Sequence, residues 1–459
     1  MTSITLSRLP ILGIAATALL LAPDGTGAQG GMEADWTVQA DTGIGGTPPA
    51  LVVTVERGGV LPHATVVDIE HGDGSRPVAP RYTGGGEFRF EFPPVDKPSY
   101  LAMTLTDAAG EGGEVLEWRV LRLPEGERLL DYDGREDLYP PEDFDEFWAT
   151  AREELSAVPM EPRVELQEGH ETETGQLLRV ELPTVRDTTI VCWFMVPKEA
   201  VPAVLNGEAP TRQYPAVIIM PGYGAQQPPL DRTADGFVTL SVNPRNHGPS
   251  RDFWTAPVEH LRYNTESPED FYYRLAFLDC LRAAEFLFDQ PIVDGDRVVA
   301  EGGSQGGLFA IALGVLEPRI AVVVSNVTAF SNYPDGMLLG SVGHQAGYRA
   351  MLEEADEESA KAIRRSLALT DGANLATRLT QPLQVNMGGL DPVCPYVSGI
   401  VIVNRAPEDL PTEYNVLPNA RHEVPGEMRR MNAEWVARWL GLEEVPSFPG
   451  AVLPSPWGP

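Results

Sequence analysis

Ser304 is the residue whose surroundings most directly indicate chemistry. It lies in Gly302-Gly303-Ser304-Gln305-Gly306, between an apolar strand-like run and an apolar helix-like run. A serine with a glycine two positions before it and another two positions after it, in that setting, is typical of a sharp turn that presents a nucleophilic hydroxyl. Gly302 and Gly306 lack the Cβ atoms that would collide in so tight a turn. We therefore predict that Ser304 is a nucleophile, the alternative being a glycine-rich turn with a passive serine.

Two further residues have the types and positions that a serine nucleophile requires. The serine needs a base to accept its proton and a carboxylate to orient that base, often in the order Ser, Asp or Glu, His. His422 follows a strand predicted for residues 413–417, and Asp391 follows one predicted for residues 383–388. We predict that His422 is the general acid and base and that Asp391 orients it. The alternatives are a surface histidine and a turn-forming aspartate before proline.

Backbone amides of two loops are candidates for stabilising the oxyanion that forms when a serine attacks an ester. One donor is the N–H of the residue after the nucleophile, and the other comes from the loop after an early strand. These positions are Gln305 and, within Pro221-Gly222-Tyr223-Gly224-Ala225, Tyr223. We predict that both amides form an oxyanion hole, with a plain glycine turn as the alternative for the second loop.

The elements that must position these residues alternate between strands and helices from about residue 138 onward. Apolar runs without alternation, at 216–220 and 321–324, are typical of central parallel strands covered on both faces. We predict an α/β fold with a doubly wound, mostly parallel sheet of the α/β-hydrolase type. The predicted strands are 177–182, 190–196, 214–220, 237–242, 297–300, 320–325, 383–388 and 413–417, and the main predicted helices are 140–155, 271–288, 307–316 and 425–440.

The first 125 residues have a different pattern. Residues 1–28 combine Arg8, a short apolar run and small residues up to Ala28, which is typical of a cleaved secretory signal and implies a secreted or periplasmic protein. An uncleaved membrane anchor is the alternative. Residues 29–125 contain short alternating runs between turn residues, which predict an immunoglobulin-like β-sandwich. We therefore divide the chain into a signal peptide (1–28), an accessory β-sandwich (29–125), an α/β domain (126–445) and a C-terminal tail (446–459).

Composition excludes several classes of partner. The chain carries 66 acidic and 34 basic residues, a formal net charge of −32, so neither a nucleic acid nor an anionic lipid surface is an expected partner. The three cysteines, Cys192, Cys280 and Cys394, lack zinc-ligand spacing, and we expect buried free thiols. We expect no metal and no other cofactor. After residue 28 no stretch is long and apolar enough to span a membrane.

With these residues in place, the chain resembles the acetyl xylan esterase and cephalosporin-C deacetylase family, carbohydrate esterase family seven. The resemblance covers residues 138–442. Carried over residue by residue, it implies Ser304, Asp391 and His422 as a catalytic triad, with the amides of Tyr223 and Gln305 as the oxyanion hole. The matching motifs are Gly302-Gly303-Ser304-Gln305-Gly306-Gly307, residues 389–395, His422-Glu423, the helix from Tyr273-Arg274 through Asp279 to Ala283, and residues 141–148.

Departures from the family pattern concentrate on the expected pocket wall. Pro221 stands where the family has histidine, Tyr396 replaces a proline, and Arg245-Asn246-His247 keeps only the arginine of the family's Arg-Gly-Gln. We expect Pro221, Arg245, His247 and Tyr396 to form this wall and to affect which acyl and alcohol groups fit. The resemblance also implies a homo-oligomer, because the family forms a hexameric ring, although the added sandwich weakens that expectation.

Together, the residues and the resemblance predict a secreted serine carboxylesterase. It would remove acetyl or other small acyl groups from acetylated sugars or xylo-oligosaccharides through an acyl-enzyme. One alternative is a serine peptidase of the prolyl oligopeptidase type, although no repeat of propeller-blade length is found in the sequence. The other is a non-catalytic carbohydrate-binding protein that retains the α/β-hydrolase fold.

Overall fold

The computed structural model describes nine strands between residues 16 and 122, and then residues 131–135, 137–339, 343–389, 391, 393–417, 420–447 and 450–458. The nine strands pair antiparallel in two sheets, in the orders β1-β2-β3-β7-β6 and β5-β4-β8-β9. They are β1 Ala16–Leu19, β2 Trp36–Asp41, β3 Ala50–Val55, β4 His63–Asp68, β5 Ser75–Val78, β6 Arg81–Gly84, β7 Glu87–Glu91, β8 Ser99–Thr106 and β9 Val115–Arg122.

These strands agree with the alternating pattern of the first 125 residues, but they leave the finer expectations open. An immunoglobulin-like packing of the two sheets, and a domain boundary at residue 125, stay predictions. The turns predicted at 71–74 and 107–110 lie outside the described residues, whereas the turn predicted at 83–86 overlaps the end of β6. Strand β1 is the described part of the predicted signal peptide and pairs with β2. Cleavage near Ala28 also stays a prediction.

From residue 144 onward, strands and helices alternate along the chain. The strands are β10 Arg163–Glu171, β11 Gly175–Thr184, β12 Thr188–Pro197, β13 Tyr214–Met220, β14 Leu230–Asp231, β15 Val238–Asn243, β16 Val293–Gly303, β17 Val322–Asn326, β18 Leu383–Gly388, β19 Thr412–Leu417 and β20 Ala451–Val452. The helices are α1 Phe144–Ser156, α2 Val201–Asn206, α3 Tyr272–Phe288, α4 Gln305–Leu316, α5 Tyr333–Leu339, α6 Gly343–Glu354, α7 Glu357–Thr370, α8 Gly372–Ala376, α9 Tyr396–Arg405 and α10 Gly426–Leu440.

Nine of these strands form one sheet, in the order β10-β11-β12-β15-β13-β16-β17-β18-β19. The pairs from β10 to β15 are antiparallel, and every pair from β15 to β19 is parallel. The sheet is therefore mostly parallel, as expected of the α/β-hydrolase fold. The carboxyl ends of β13, β16 and β18 meet at one edge, where ligands bind in open α/β sheets.

Both faces of the parallel region are covered by helices. Ala216, Ile218 and Val298 share a core with α3 and α4, whereas Val217 and Val299 pack with α10. Successive strand residues point to opposite faces, so a strand buried on both faces must be apolar at every position. The unalternating run at 216–220 arises for this reason, and it identified β13 correctly from sequence.

Helix α1 illustrates how local sequence determines an element. Phe144, Phe147, Trp148, Ala151 and Leu155 recur at three- and four-residue spacing, and all five are buried. At the other end of the domain, α10 stops where Gly441 adopts a φ of 63°, which a glycine tolerates at a helix end.

All eight predicted strands of the α/β domain overlap described strands, but several elements were not predicted. Strand β10 is an edge strand whose residues are all exposed or half-buried, so it lacks the apolar run that marks the central strands. Helices α5 to α9 lie between β17 and β19, and the sequence analysis predicted none of them. The predicted bounds of β16 were too narrow, since it runs from Val293 to Gly303.

The tail predicted for residues 446–459 is a strap across the sheet in its described part. Strand β20 pairs antiparallel with β14. Leu453 and Trp457 pack on Leu177, Trp193 and Met195 of the antiparallel strands. Trp457 Nε1 donates to Asp252 at 3.1 Å, and Gln226 Nε2 donates to the carbonyl of Gly458 at 2.8 Å. The strap thus reaches the loop that follows β13.

The predicted state of the cysteines can be compared directly with the structure. All three cysteines are buried and free, as expected. Among the described helices, none is both long and apolar enough to cross a membrane.

Candidate active site

Ser304 occupies the sharp turn between β16 and α4. Its φ of 58° and ψ of −121° are strained for a residue with a side chain. The Ser304 N–H donates to the carbonyl of Asn326 at 2.8 Å, which ties the turn to β17. A Cβ on Gly302 would overlap the carbonyl of Gly306, and one on Gly306 would overlap that of Met220. Both glycines are therefore required for the turn.

The structure brings Ser304, His422 and Asp391 together in one hydrogen-bonded row. His422 Nε2 lies 2.9 Å from Ser304 Oγ, and His422 Nδ1 lies 2.7 Å from Asp391 Oδ2. The Asp391 side chain is fully buried, and its Oδ1 accepts the N–H groups of Val393 and Cys394 at 2.8 and 2.9 Å. The carboxylate can only accept at Oδ2, so it holds the proton of His422 on Nδ1. Nε2 is then free to accept the Ser304 proton.

The loop that carries His422 is placed by a close approach to β18. A Cβ on Gly388 would lie 2.6 Å from the carbonyl oxygen of Ala420 and would overlap that of Arg421. Only glycine allows the two backbones to come so near. The Ala420 N–H donates to the carbonyl of Leu417, which anchors the loop to the end of β19. The neighbouring Leu390, Pro392, Pro418 and Asn419 lie outside the described residues.

A row of asparagines ties the strands behind the site together. Asn386 Nδ2 donates to Asn326 Oδ1 at 2.9 Å, and Asn415 Nδ2 donates to Asn386 Oδ1 at 2.9 Å. These three residues are direct neighbours in the register of β17, β18 and β19. The row fixes the strand that leads to Asp391 relative to the strand beside Ser304. Sequence analysis did not identify it.

The two predicted oxyanion donors, the amides of Gln305 and Tyr223, belong to segments that meet at Ser304. Gln305 is the first residue of α4, so its N–H belongs to the helix's first turn, whose amides have no partner within the helix. The loop after β13 also comes close to Ser304, since a Cβ on Gly222 would be 4.0 Å from Ser304 Cβ. Tyr223 is the next residue in that loop. Its ring is partly exposed, and its hydroxyl donates to Glu259 at 3.0 Å.

The Gln305 side chain is buried and bound by three neighbours. Its Oε1 lies 3.0 Å from Tyr273 Oη and 3.2 Å from His260 Nε2. Its Nε2 lies 2.9 Å from His247 Nε2. His260 Nδ1 faces Asn246 Nδ2 at 3.0 Å, and His247 Nδ1 faces the carbonyl of Arg245 at 3.1 Å. Every polar atom of the Gln305, His247 and His260 side chains therefore has a hydrogen-bond partner.

Both histidines are held neutral by their surroundings. Burial lowers the pKa of His247 to about 4, which outweighs the opposing effect of the Arg245 carbonyl. Burial, with the adjacent His247, lowers the pKa of His260 to about 3. Neither ring changes charge near neutral pH.

The four residues expected on the pocket wall occupy different places. Arg245 is buried, and its guanidinium makes a two-point ion pair with Asp279, with N···O distances of 2.8 Å. His247 is fully buried behind Gln305, so neither side chain is exposed to a pocket. Pro221 is buried next to Gly306, and half-buried Tyr396 begins α9. Arg245 and His247 therefore lie beneath the site rather than on an open wall, because their polar atoms are bonded to the core.

One group of side chains among the described residues has the composition of a metal site. Ligand atoms of Asp391, Cys394 and His422 lie within 4.8 Å of one another. Asp391 Oδ2 and His422 Nδ1 are already hydrogen-bonded at 2.7 Å, however, and Asp391 Oδ1 accepts two amides. Burial raises the pKa of the Cys394 thiol. The donor set is that of a hydrogen-bonded acid and base.

His260 and Asn246 are site residues that sequence reasoning missed. The departure at Asn246-His247 was noticed, but only as part of a pocket wall. His260 lies in an irregular stretch between β15 and α3. Its separation from Gln305 gives no spacing signal, because the contact depends on how two loops fold over the same strand end.

Comparisons with known proteins agree on one family. The family model described as acetyl xylan esterase (AXE1) matches residues 120–440. An acetyl esterase of Xylanibacter ruminicola, Axe7A, is 24% identical over 312 residues, which span 65% of this chain and 67% of that protein. The solved acetyl xylan esterase 1 of Thermoanaerobacterium sp. is 24% identical with a TM-score of 0.59, and that of Paenibacillus sp. R4 is 20% identical with a TM-score of 0.59. They cover 69% and 68% of this chain, and 98% of each solved chain is covered.

Proposed function

The chain belongs to the acetyl xylan esterase family, and from this premise we propose that it is a secreted serine carboxylesterase that deacetylates acetylated sugars or xylo-oligosaccharides. As a member of this family, the chain is a carboxylic ester hydrolase with an α/β-hydrolase fold. The serine mechanism, the acyl-enzyme, the substrate and the secretion are parts of the proposal.

The row Ser304, His422, Asp391 is the observation that carries the proposal. The two contacts, 2.9 Å between Ser304 Oγ and His422 Nε2 and 2.7 Å between His422 Nδ1 and Asp391 Oδ2, have the geometry that serine activation requires. Gln305 directly follows Ser304, and the loop of Tyr223 comes close to it, which supports their amides as the oxyanion donors. A nucleophile, its base and oxyanion donors around one point favour acyl transfer over a binding-only role.

The proposed reaction has two halves. Ser304 Oγ attacks the acetyl carbonyl carbon while its proton passes to His422 Nε2, and the carbonyl oxygen becomes an oxyanion facing the two amides. The C–O bond to the sugar then breaks, and His422 returns the proton to the sugar oxygen. In the second half, His422 takes a proton from water, whose oxygen attacks the acetyl-serine. Acetate leaves and the proton returns to Ser304.

The test compares acetate release by wild type and Ser304→Ala. The substrates are acetylated xylan, acetylated xylo-oligosaccharides, acetyl sugars and cephalosporin C. We expect Ser304→Ala to lose at least about 10⁴-fold in kcat and to keep the thermal midpoint of the wild type. Ser156→Ala, at the exposed end of α1, is the control and should behave as wild type. Retention of hydrolysis by folded Ser304→Ala would contradict the serine mechanism.

The two alternatives give different results. A peptidase of the prolyl oligopeptidase type would cleave members of a dipeptide amide panel faster than acetyl esters. A non-catalytic sugar-binding protein would not react with a fluorophosphonate, because only an activated serine does so. We expect covalent labelling at Ser304 and faster turnover of acetyl esters than of amides.

We also propose the division of the chain predicted from sequence, with an accessory β-sandwich at 29–125 and a cleaved signal at 1–28. Support comes from the two antiparallel sheets and from the family match, which begins at residue 120. Mass spectrometry of exported protein would test cleavage near Ala28. The substrate screen with and without residues 29–125 would test whether the sandwich contributes to polysaccharide turnover.

A further inference from the structure

We propose that Asn246, His247 and His260 are positioning residues that, with Tyr273, hold Gln305 and thereby fix both oxyanion donors. We call these four residues the Gln305 clamp. The inference rests on the proposed function, because it concerns the oxyanion hole of that reaction. The side-chain hydrogen bonds of these four residues go to Gln305, to one another, to Tyr272 or to the backbone, and not to Ser304, His422 or Asp391. They therefore act through Gln305 and Tyr223.

The donor and the acceptor of each hydrogen bond in the clamp can be assigned in turn, beginning at Asn246. The backbone N–H of Ala256 donates to Asn246 Oδ1 at 3.1 Å, so Asn246 Nδ2 must be the atom that donates to His260 Nδ1. His260 then carries its proton on Nε2 and donates to Gln305 Oε1.

The second half of the chain follows from the first. Because Gln305 Oε1 accepts from His260 and Tyr273, its Nε2 donates to His247 Nε2. His247 carries its proton on Nδ1 and donates to the Arg245 carbonyl. Each amide orientation and each tautomer is therefore determined by the bond before it. Reversing any one bond would place two donors or two acceptors face to face, so the chain has one low-energy arrangement.

His260 links the two halves of the oxyanion hole. Its Nε2 bonds the Gln305 side chain, and its ring packs on Tyr223 with centroids 4.1 Å apart. On its other face it stacks on Tyr272 at 4.4 Å. One side chain thus contacts both residues whose amides are the proposed donors. A shift of His260 would displace both.

The loop of Tyr223 is also tied to Asn246 directly. Arg251 Nε donates to the Asn246 carbonyl at 2.9 Å, and its NH2 group donates to the Gly224 carbonyl at 3.2 Å. Asn246 has a φ of 65°, a conformation that asparagine and aspartate adopt more readily than most residues. The Asn246 backbone is therefore linked through Arg251 to the loop of Tyr223, and its side chain is linked through His260 to Gln305.

Fixed dipoles stabilise a transition state only if they already point at the developing charge. Removal of one oxyanion donor costs roughly 10²- to 10³-fold in kcat, and a misplacement near 1 Å costs about 10²-fold. We therefore expect loss of the clamp to lower kcat by about 10- to 100-fold and to leave KM nearly unchanged, since the donors act mainly on the oxyanion.

Two substitutions test the clamp from different directions. Asn246→Asp keeps the shape and the backbone conformation, but it presents an acceptor oxygen to His260. Assays at about pH 9 keep His260 neutral beside the new carboxylate, so its proton moves to Nδ1 and the direction of the hydrogen bonds is reversed. His260→Phe keeps the ring contacts with Tyr223 and Tyr272 but removes the bond to Gln305. His260→Gln, whose side-chain N–H can reach Gln305 again, should recover part of the loss. His170→Phe, on edge strand β10, is the matched control.

The readouts are kcat and KM for 4-nitrophenyl acetate and the Ki of a small alkyl boronic acid, whose tetrahedral serine adduct resembles the oxyanion. We expect kcat to fall at least tenfold in Asn246→Asp and His260→Phe, with KM within twofold, Ki rising in proportion, and recovery in His260→Gln. Equal kcat in wild type and folded Asn246→Asp at about pH 9, where His260 is neutral, would overturn the inference, as would a lower kcat with an unchanged Ki. If His260→Phe does not fold, Asn246→Asp decides alone.

The proposed function and the role of the Gln305 clamp can be disproved independently of each other. Activity retained by Ser304→Ala would overturn the proposed function. Activity lost in Ser304→Ala but retained in both clamp variants would overturn only the clamp.

Discussion

Ser304 has two flanks that are built differently. On the acid–base flank, Asp391 and His422 lie on loops after β18 and β19, and the His422 side chain is 27% exposed. On the clamp flank, Gln305 and His247 are fully buried, and every polar atom of the Gln305, His247 and His260 side chains is hydrogen-bonded. One flank is a single row of contacts, whereas the other is a closed network.

The difference corresponds to what each flank has to do. A group that moves protons must reach the serine, the leaving alcohol and water in turn, so it needs access and some freedom. Donors that stabilise an oxyanion act best when they need not reorganise, and a fully satisfied buried network provides that rigidity. We infer that activity is more sensitive to the first flank, and folding stability more sensitive to the second.

The largest expected effect is on the acid–base flank. Asp391→Asn keeps Oδ1 as the acceptor for Val393 and Cys394, but its Nδ2 would donate to His422 Nδ1 and force the proton onto Nε2. His422 could then no longer accept the Ser304 proton, so we expect kcat to fall about 10⁴-fold. The free energy of unfolding, from urea titration, should change by only about 1–2 kcal/mol. Asp409→Asn, in an exposed turn, is the control; a kcat loss below tenfold would contradict the proposed role of Asp391.

The clamp flank should show the opposite balance. Gln305→Met keeps the length of the side chain and leaves the backbone amide in place, so we expect a smaller loss in kcat of about 10²-fold. It also leaves His247, His260 and Tyr273 without their partner in a buried site, at about 1–3 kcal/mol for each orphaned group. Urea titration should therefore show a loss of about 3–9 kcal/mol. A variant as stable as Asp391→Asn would remove the distinction between the flanks.

Acid should destabilise the protein through buried histidines. Burial lowers the pKa of His247 to about 4 and of His260 to about 3, and burial near His422 lowers that of His344 to about 3. The unfolded histidines titrate near 6.5. Between about pH 6.5 and 4 the unfolded chain therefore binds protons that the folded chain does not, and stability falls as the pH falls.

Asp371 opposes this trend. Burial raises its pKa to about 6, so over part of the same range the folded chain binds a proton that the unfolded chain does not. Three histidines against one aspartate leave a net slope on the order of 2–3 kcal/mol per pH unit near pH 5. Urea titrations at pH 7, 6 and 5 measure it, and His247→Gln should reduce the slope. Stability that is constant or rising towards pH 5 would contradict the assigned neutral histidines.

The smallest expected effect is on folding stability, and it concerns the backbone strain at Ser304 rather than its role as nucleophile. Both Ser304→Ala and Ser304→Gly remove the nucleophile, but only glycine is at ease at a φ of 58° and a ψ of −121°. Relief of that strain is offset in part by the greater freedom of glycine in the unfolded chain. We expect Ser304→Gly to be more stable than Ser304→Ala by about 1 kcal/mol in urea titration. The reverse order would show that the turn is not strained.

Sequence carries information about the first flank far better than about the second. The glycines around Ser304, the strand ends before Asp391 and His422, and their order along the chain are local features, and each has a physical reason visible in a few residues. The apolar run of β13 likewise predicts a central strand. The structure brings the predicted Ser304, Asp391 and His422 together, while their catalytic roles stay a proposal.

The clamp depends on contacts that no local pattern encodes. His260 meets Gln305 only because the irregular stretch between β15 and α3 folds back over the end of β16, and His247 looked like a wall residue until its burial was known. The asparagine row across β17 to β19 depends on strand register in the same way. Strand β10 was missed for a simpler reason, since an edge strand need not be apolar.

The strap formed by residues 450–458 also has a consequence for how the chain is made. The apolar side chains that it covers, Trp193 and Met195 among them, precede Leu453 by roughly 260 residues. At about 5–20 residues per second, a ribosome needs on the order of tens of seconds to cover that distance. During this interval the strap has not yet been synthesised, so it cannot cover these apolar side chains of β11 and β12. A growing chain would therefore offer chaperones an apolar surface that the finished enzyme conceals.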